Sequence, residues 1–290
     1  MQTSEPLKAA AWMMGAVLSF TAMAVAGRAL LTGMNTFELM LYRSAVGFAV
    51  VEALIAASAG GLAQVRSRRM DLHLVRNAFH YTGQNLWFFA VSQIALGQLV
   101  ALEFTNPIWV ALLAPALLGE RLTPTRVAAA LLGFLGVLIV ARPGMAPLEA
   151  GHFAALVSAC CFALNTIYTR RIMAHDSVLC VLFWMTLLQG SASLLLSLPG
   201  GIPVPAVGDL PWIGVIGLTG LTAHYSLTSA LRHAPASIVA PMEFIRLPVI
   251  TFVGTWLYGE PLSVAVFVGA AVIIAGNLVN LRAETRRAPG

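Results

Sequence analysis

Long apolar runs, each close to the roughly twenty residues that carry one helix across a bilayer, follow one another along the chain with short polar linkers between them. None shows the period-two alternation of barrel strands, so each is predicted to be a helix. Ten spans result, at about 9–31, 36–57, 71–91, 97–118, 124–141, 151–170, 178–198, 210–231, 237–257 and 263–281. The stretch Ala95–Gly144 is the most informative. It holds two apolar runs divided by Gly119-Glu120-Arg121, with Glu103 and Pro107 inside the first. Pro235–Glu284 repeats this pattern 140 positions on (103 to 243): Glu103 maps to Glu243, Phe104 to Phe244, Gly119-Glu120 to Gly259-Glu260, Leu122 to Leu262 and Gly136 to Gly276. The chain therefore divides into two five-span units, 1–145 and 146–290.

Composition strengthens the reading. With 59% hydrophobic and only 10% charged residues, where soluble domains carry roughly a quarter charged, the chain is expected to be an all-α integral membrane protein, because a span must satisfy its own backbone polar groups. The net charge of +5 does not signal nucleic acid, since the basic residues fall in linkers. Linkers near Gly60–Arg69 and Pro199–Asp209 leave no room for a soluble domain. Cys160, Cys161 and Cys180 have no metal-ligand or disulfide spacing and suit apolar filling. The run after Lys8 is long enough to be a retained first span and not a cleaved signal.

Arginine and lysine near span ends set orientation. A cytoplasmic N-terminus puts Lys8, Arg66, Arg68, Arg69, Arg76, Arg121, Arg126, Arg170, Arg171, Arg232, Arg282, Arg286 and Arg287 inside and Arg142 alone outside. Both termini are expected in the cytoplasm. Five spans per unit is an odd number, so the second unit enters the membrane inverted. Inverted repeats are the plan of secondary transporters, with substrate held near the midplane between halves.

Intramembrane polar residues mark the chemistry. A glutamate inside a span faces protein or water and marks ion, proton or substrate paths. Pro107 removes the helical partner of the Glu103 carbonyl, so carboxylate and carbonyl coincide, with Asn106 one turn on: a site for a cation or ammonium group, or a bond to a neighbouring helix and nothing more. The second copy is unequal. Arg246 replaces Asn106 and lies three residues from Glu243, on the same helix face, either as a neutralised structural lock or as a bidentate receptor for a substrate carboxylate. Glu103, with no cation near it in sequence, is then the better proton carrier. Pro107 and Pro248 are expected to kink their helices.

Span 3 carries a polar stripe, Asn77, His80, Tyr81, Gln84 and Phe88, with Asn85 and Trp87 beside it; span 8 answers with His224 and Tyr225. Either histidine could titrate near neutrality or serve as a hydrogen-bonded packing residue. Trp87, Phe88 and Trp184 could stack on a planar or cationic substrate or face lipid. Asn165 and Tyr168 in span 6 and Arg43 in span 2 complete the candidates; Arg43 pairs with Glu38 or reaches the cavity. Spans 5 and 10, with Gly133, Gly136, Gly269 and Gly276, offer small faces for close packing, including between protomers of a homodimer, and are placed outside the pathway.

The two Gly-Glu-[Arg/Pro]-Leu turns, Gly119–Leu122 and Gly259–Leu262, each followed by a glycine-bearing span, together with Arg43 in the second span, resemble the EamA branch of the drug/metabolite transporter superfamily over nearly the whole chain. The resemblance implies a central cavity lined chiefly by spans 3, 4, 8 and 9, with 1, 2, 6 and 7 contributing. Similar proteins export amino acids or take up S-adenosylmethionine, riboflavin or choline. The expectation is a bacterial-type inner-membrane secondary transporter for a small polar metabolite, an amino acid or an amine or nucleoside-like compound, driven by a gradient or exchange, with protons as a candidate coupling ion. No phosphate-binding loop is present, and no cofactor or metal is expected. The alternatives are an intramembrane enzyme, for which neither Gly-x-Ser-x-Gly nor His-Glu-x-x-His occurs, and a structural or regulatory membrane subunit.

Overall fold

A computed structural model describes residues 5–118, 123–142, 147–202, 204–234, 239 and 242–285. The chain is an all-α multi-pass membrane protein. Its helices are α1 (Pro6–Leu30), α2 (Thr36–Ala57), α3 (Met70–Gln93), α4 (Leu96–Glu103), α5 (Asn106–Leu118), α6 (Pro124–Ala141), α7 (Ala150–Ile172), α8 (Val178–Ser197), α9 (Leu210–His233), α10 (Arg246–Tyr258) and α11 (Val264–Thr285). Among the described residues, seven segments are long and apolar enough to cross a membrane: Leu7–Leu30, Thr36–Ala57, Leu96–Leu117, Pro124–Ala141, Ala150–Ile172, Val178–Gly200 and Val264–Ala283. Helices α3 and α9 are full length but carry the polar stripes, which lowers their hydropathy. The Gly119–Leu122 turn lies outside the described residues; its counterpart ends α10, where Gly259 takes the left-handed conformation (φ 65°) that glycine adopts without a Cβ clash.

The fourth span departs from expectation. A kinked helix was predicted; the helix instead breaks at Phe104–Thr105, leaving α4 and α5. Chain 140 positions later behaves alike, helical at Met242–Glu243, turned at Phe244–Ile245 and helical again from Arg246. Pro107 and Pro248 thus sit in the first turns of α5 and α10, where a missing N–H costs little. The rings of Phe104 and Phe244 meet edge to face, centroids 5.0 Å apart, so the two breaks touch.

Helices pair α1 with α9, α3 with α7, α2 with α8 and α6 with α11. The last pair uses its glycines within the chain. A Cβ on Gly136 would stand 2.6 Å from the Gly269 carbonyl, and one on Gly276 would stand 2.9 Å from the Ala129 carbonyl. The small faces expected to serve contacts between protomers are therefore occupied by each other. Near α2, Asn35 caps the helix and Glu38 returns the bond to the Asn35 N–H at 2.8 Å. This capping box holds Glu38 at the helix start, and Arg43 does not pair with it.

Candidate functional site

The two breaks open onto a central cavity of about 500 Å³, within the usual range for small-molecule sites. Of the residues singled out by sequence, Glu103, Asn106, Pro107, Glu243, Arg246, His80, Gln84, Trp87, His224 and Asn165 line it. The others are placed elsewhere. Tyr81 accepts from Ser193 Oγ at 2.9 Å, and Asn85 donates to the Tyr81 carbonyl at 2.9 Å. Phe88 is fully buried in the core. Tyr225 is 63% exposed on the outer surface of the bundle, edge-on to Trp12. Tyr168 stacks on Phe79, Trp184 donates to the Val65 carbonyl at 2.9 Å, and Pro248 points out of the bundle. Arg43 borders a separate small void.

The charged centre is wired across the two halves. Arg246 Nη2 lies 2.8 Å from Glu103 Oε1, and Trp87 Nε1 donates to Glu103 Oε2 at 2.9 Å. Phe20 and Phe104 sit against the guanidinium, 5.0 and 5.4 Å from ring centroid to Cζ, as cation–π contacts. The sequence spacing suggested a Glu243–Arg246 lock and a Glu103 free of cations; the assignment is reversed. At the start of α10 the Arg246 side chain projects across the break toward the end of α4, so the cation neutralises the other half's acid. Among the described residues Glu243 forms no hydrogen bond or ion pair and is only partly buried.

Further polar groups face the space without partners. Gln84 Oε1, Asn165 Oδ1, Asn277 Oδ1, Asn280 Oδ1 and Arg246 Nε are buried and unbonded. Asn106 Nδ2 reaches only the Ala159 carbonyl, at 3.4 Å. His80 is held from behind, its Nδ1 2.7 Å from Gln189 Nε2. Buried polar groups are ordinarily satisfied; these atoms remain free to bond within the cavity.

Sequence reasoning missed the part played by α11 and α6. Asn277, Asn280 and Leu281 of α11 and Arg126 of α6 line the cavity, so these spans are not confined to packing. Asn277 Nδ2 also donates to the Phe104 carbonyl at 2.8 Å, supplying the partner lost at the break. Two asparagines three apart in an otherwise apolar span were the available signal.

The cavity is asymmetric along the bundle. It extends to Arg126 at the start of α6, Arg170 at the end of α7 and Leu281 late in α11. The opposite end is tied shut. Arg28, in the last turn of α1, pairs with Glu260 and donates to the carbonyls of Val91 at 2.8 Å and Ile94 at 2.6 Å. Glu260 also accepts the Leu96 N–H at the start of α4, at 2.9 Å. One ion pair thus joins α1, the α3–α4 turn and the end of α10.

The chain is similar to known proteins. A riboflavin transporter of Rhizobium johnstonii is 28% identical over 241 residues, 83% of this chain and 80% of its own length. An S-adenosylmethionine uptake transporter of Rickettsia bellii is 20% identical over 275 residues, 95% of this chain and 94% of its own. A solved crystal structure, 21% identical, has the same fold with a TM-score of 0.64, covering 93% of this chain and 96% of its own. Residues 7–142 and 149–282 both match the EamA-like transporter family, and the chain belongs to that family: it is a small-molecule transporter of the drug/metabolite superfamily, not an enzyme.

Proposed function

We propose that the protein is a secondary transporter that moves a planar-ringed, hydrogen-bonding metabolite across the inner membrane by alternating access. The observation that carries this is the cavity at the paired helix breaks, with an unengaged carboxyl at Glu243, an unengaged Arg246 Nε and unbonded amides around them. Trp87, Phe20, Phe104 and Phe244 offer ring faces, and 500 Å³ has room for a nucleoside- or flavin-sized molecule. Arg246 and the amides suit the carbonyl and N–H edge of such a ring, while Glu243 takes an ammonium, a hydroxyl or a proton. Relatives named for riboflavin and S-adenosylmethionine both handle fused nitrogen heterocycles with polar tails. An amino acid is the second reading, favoured by the Glu243 carboxyl and the Arg246 guanidinium at the breaks.

The two units, 1–145 and 146–290, act in this reading as inverted repeats that rock about the breaks. Helix pairing supports it: exchanging the spans of one unit for the other turns the α1–α9 pair into α3–α7 and leaves α2–α8 and α6–α11 unchanged. With both termini cytoplasmic, the cavity opens inward and the Arg28–Glu260 tie closes the outside. A homodimer through α6 and α11 would use their outer, leucine-rich faces, since the glycine faces are taken. Protons are the proposed coupling ion, carried by Glu243.

The test is counterflow in proteoliposomes. Vesicles preloaded with riboflavin, S-adenosylmethionine or a mixed amino-acid pool are offered the same labelled solute outside. Accumulation with the riboflavin or S-adenosylmethionine pool alone supports the ring-bearing class; accumulation only with amino acids selects the second reading; none with any pool sinks both.

A further inference from the structure

Away from the cavity, between α2, α8 and α9, the interior holds a positive charge with no counterion among the described residues. Arg43 is 6% exposed, and among the described residues it makes no hydrogen bond or ion pair; its Nε is buried and unbonded. On α3, Arg76, equally buried, reaches among the described residues only the neutral oxygens of Thr169 and Asn77, at 3.3 and 3.2 Å. A guanidinium taken out of water without an anion costs several kcal/mol, so an unpaired one is a sign of a missing partner.

The space beside Arg43 is built to receive it. Arg43, Ser44, Thr186 and Gln189 border a void with Gly47, Gly217 and Gly220. A Cβ on Gly220 would stand 2.7 Å from Arg43 Nη2, so the bare helix backbone is what admits the guanidinium. Ser44 Oγ, 3% exposed, is also unbonded. Thr186 spends its hydroxyl on the carbonyls of Leu182 and Phe183, and Gln189 spends its N–H groups on Asn77 and His80. The Arg43 N–H groups and the Ser44 O–H therefore remain as donors, and no carboxylate borders the void. The void is small, about the room for a single water or monatomic ion.

We propose that Arg43 and Ser44 hold a monatomic halide, chloride in the cell, that neutralises Arg43 between α2, α8 and α9. The site is separate from the substrate cavity but touches it through Gln189, which bridges to the cavity residue His80.

The purified protein is exchanged into sodium gluconate and titrated with chloride, bromide, nitrate or sulfate at constant ionic strength while its thermal stability is followed. Chloride and bromide should raise the melting temperature by equal steps for each tenfold increase above the dissociation constant; nitrate and sulfate should not. Ser44→Ala leaves no group unpaired, so it should fold and shift the halide midpoint about tenfold; Arg43→Gln should abolish the response. A crystal soaked in bromide should show anomalous density between Arg43 and Ser44. Equal stability in gluconate and chloride, a response to nitrate matching that to bromide, or an unaltered midpoint in Ser44→Ala would each overturn the proposal.

Discussion

The cross-half pair between Glu103 and Arg246 makes a quantitative prediction. In Glu103→Gln the shape is kept, but Arg246, only 3% exposed, loses the one ion-pair partner it has among the described residues. Stranding one member of a buried pair costs about 3–5 kcal/mol. The glutamine oxygen can still accept from Trp87 or Arg246, which returns about 1 kcal/mol. The net loss is about 2–4 kcal/mol, which at roughly 2–4 °C per kcal/mol for chains of comparable size is a fall in melting temperature on the order of 10 °C. Arg246→Gln should cost a similar amount, because it strands Glu103. The double variant removes both charges and should be less destabilised than the sum of the singles by about 1–3 kcal/mol. Thermal unfolding of the four proteins in one detergent, followed by tryptophan fluorescence, measures the cycle. Additive losses would refute the pairing, and a Glu103→Gln protein as stable as wild type would show that Arg246 has another partner.

Other consequences follow from the same geometry. Glu243→Gln should leave the stability within about 1 kcal/mol of wild type, since among the described residues no hydrogen bond or ion pair is lost, yet abolish proton-driven uptake into liposomes; uptake that keeps its pH dependence would remove Glu243 from coupling. Arg28→Gln should release the closed end, so that a membrane-impermeant maleimide added outside right-side-out vesicles labels a cysteine placed at Phe20 in a background without native cysteines; labelling no faster than in the Arg28 parent would refute the tie. Asn277→Leu strands the Phe104 carbonyl and should cost about 1–3 kcal/mol, read as a lower melting temperature. In the α7–α8 linker, Asp176 is subject to burial, which raises its pKa, but hydrogen bonds from Ser67 and His73 outweigh this and hold it below the ordinary 3.8. A depressed acid contributes stability above its unfolded value and loses it as pH falls through the folded one. The stability gap between wild type and Asp176→Asn should therefore stay constant from about pH 7 to about pH 5 and close only below the ordinary 3.8; a gap that closes near neutrality would refute the assignment.

How much of this could be read from the chain depends on what kind of signal each feature leaves. Helix positions were legible because lipid forces apolar runs of fixed length, and the cavity was legible because intramembrane Glu103, Glu243, Arg246 and His80 have nowhere else to go. Pairings were not. Spacing within one helix put Arg246 beside Glu243, but it cannot report that a break at Phe244 turns the arginine across the molecule to Glu103. The same limit hid Arg43, whose nearest acid in sequence, Glu38, is spent on a helix cap. It also hid the pairing of Arg28 with Glu260, 232 positions apart, which the fold joins at the closed end. The repeat is consistent with these errors as well as with the fold. A shift of 140 positions brings like backbone to like, so the prolines marked both places, as kinks where the structure has breaks. The side chains that make the site asymmetric, Asn106 against Arg246 and an occupied Glu103 against an unoccupied Glu243, are where the two copies differ, and their partners lie in the opposite half. Chemistry of this kind becomes visible only when the halves are docked, which makes the interface between them the place where substitutions should alter transport without altering the helices.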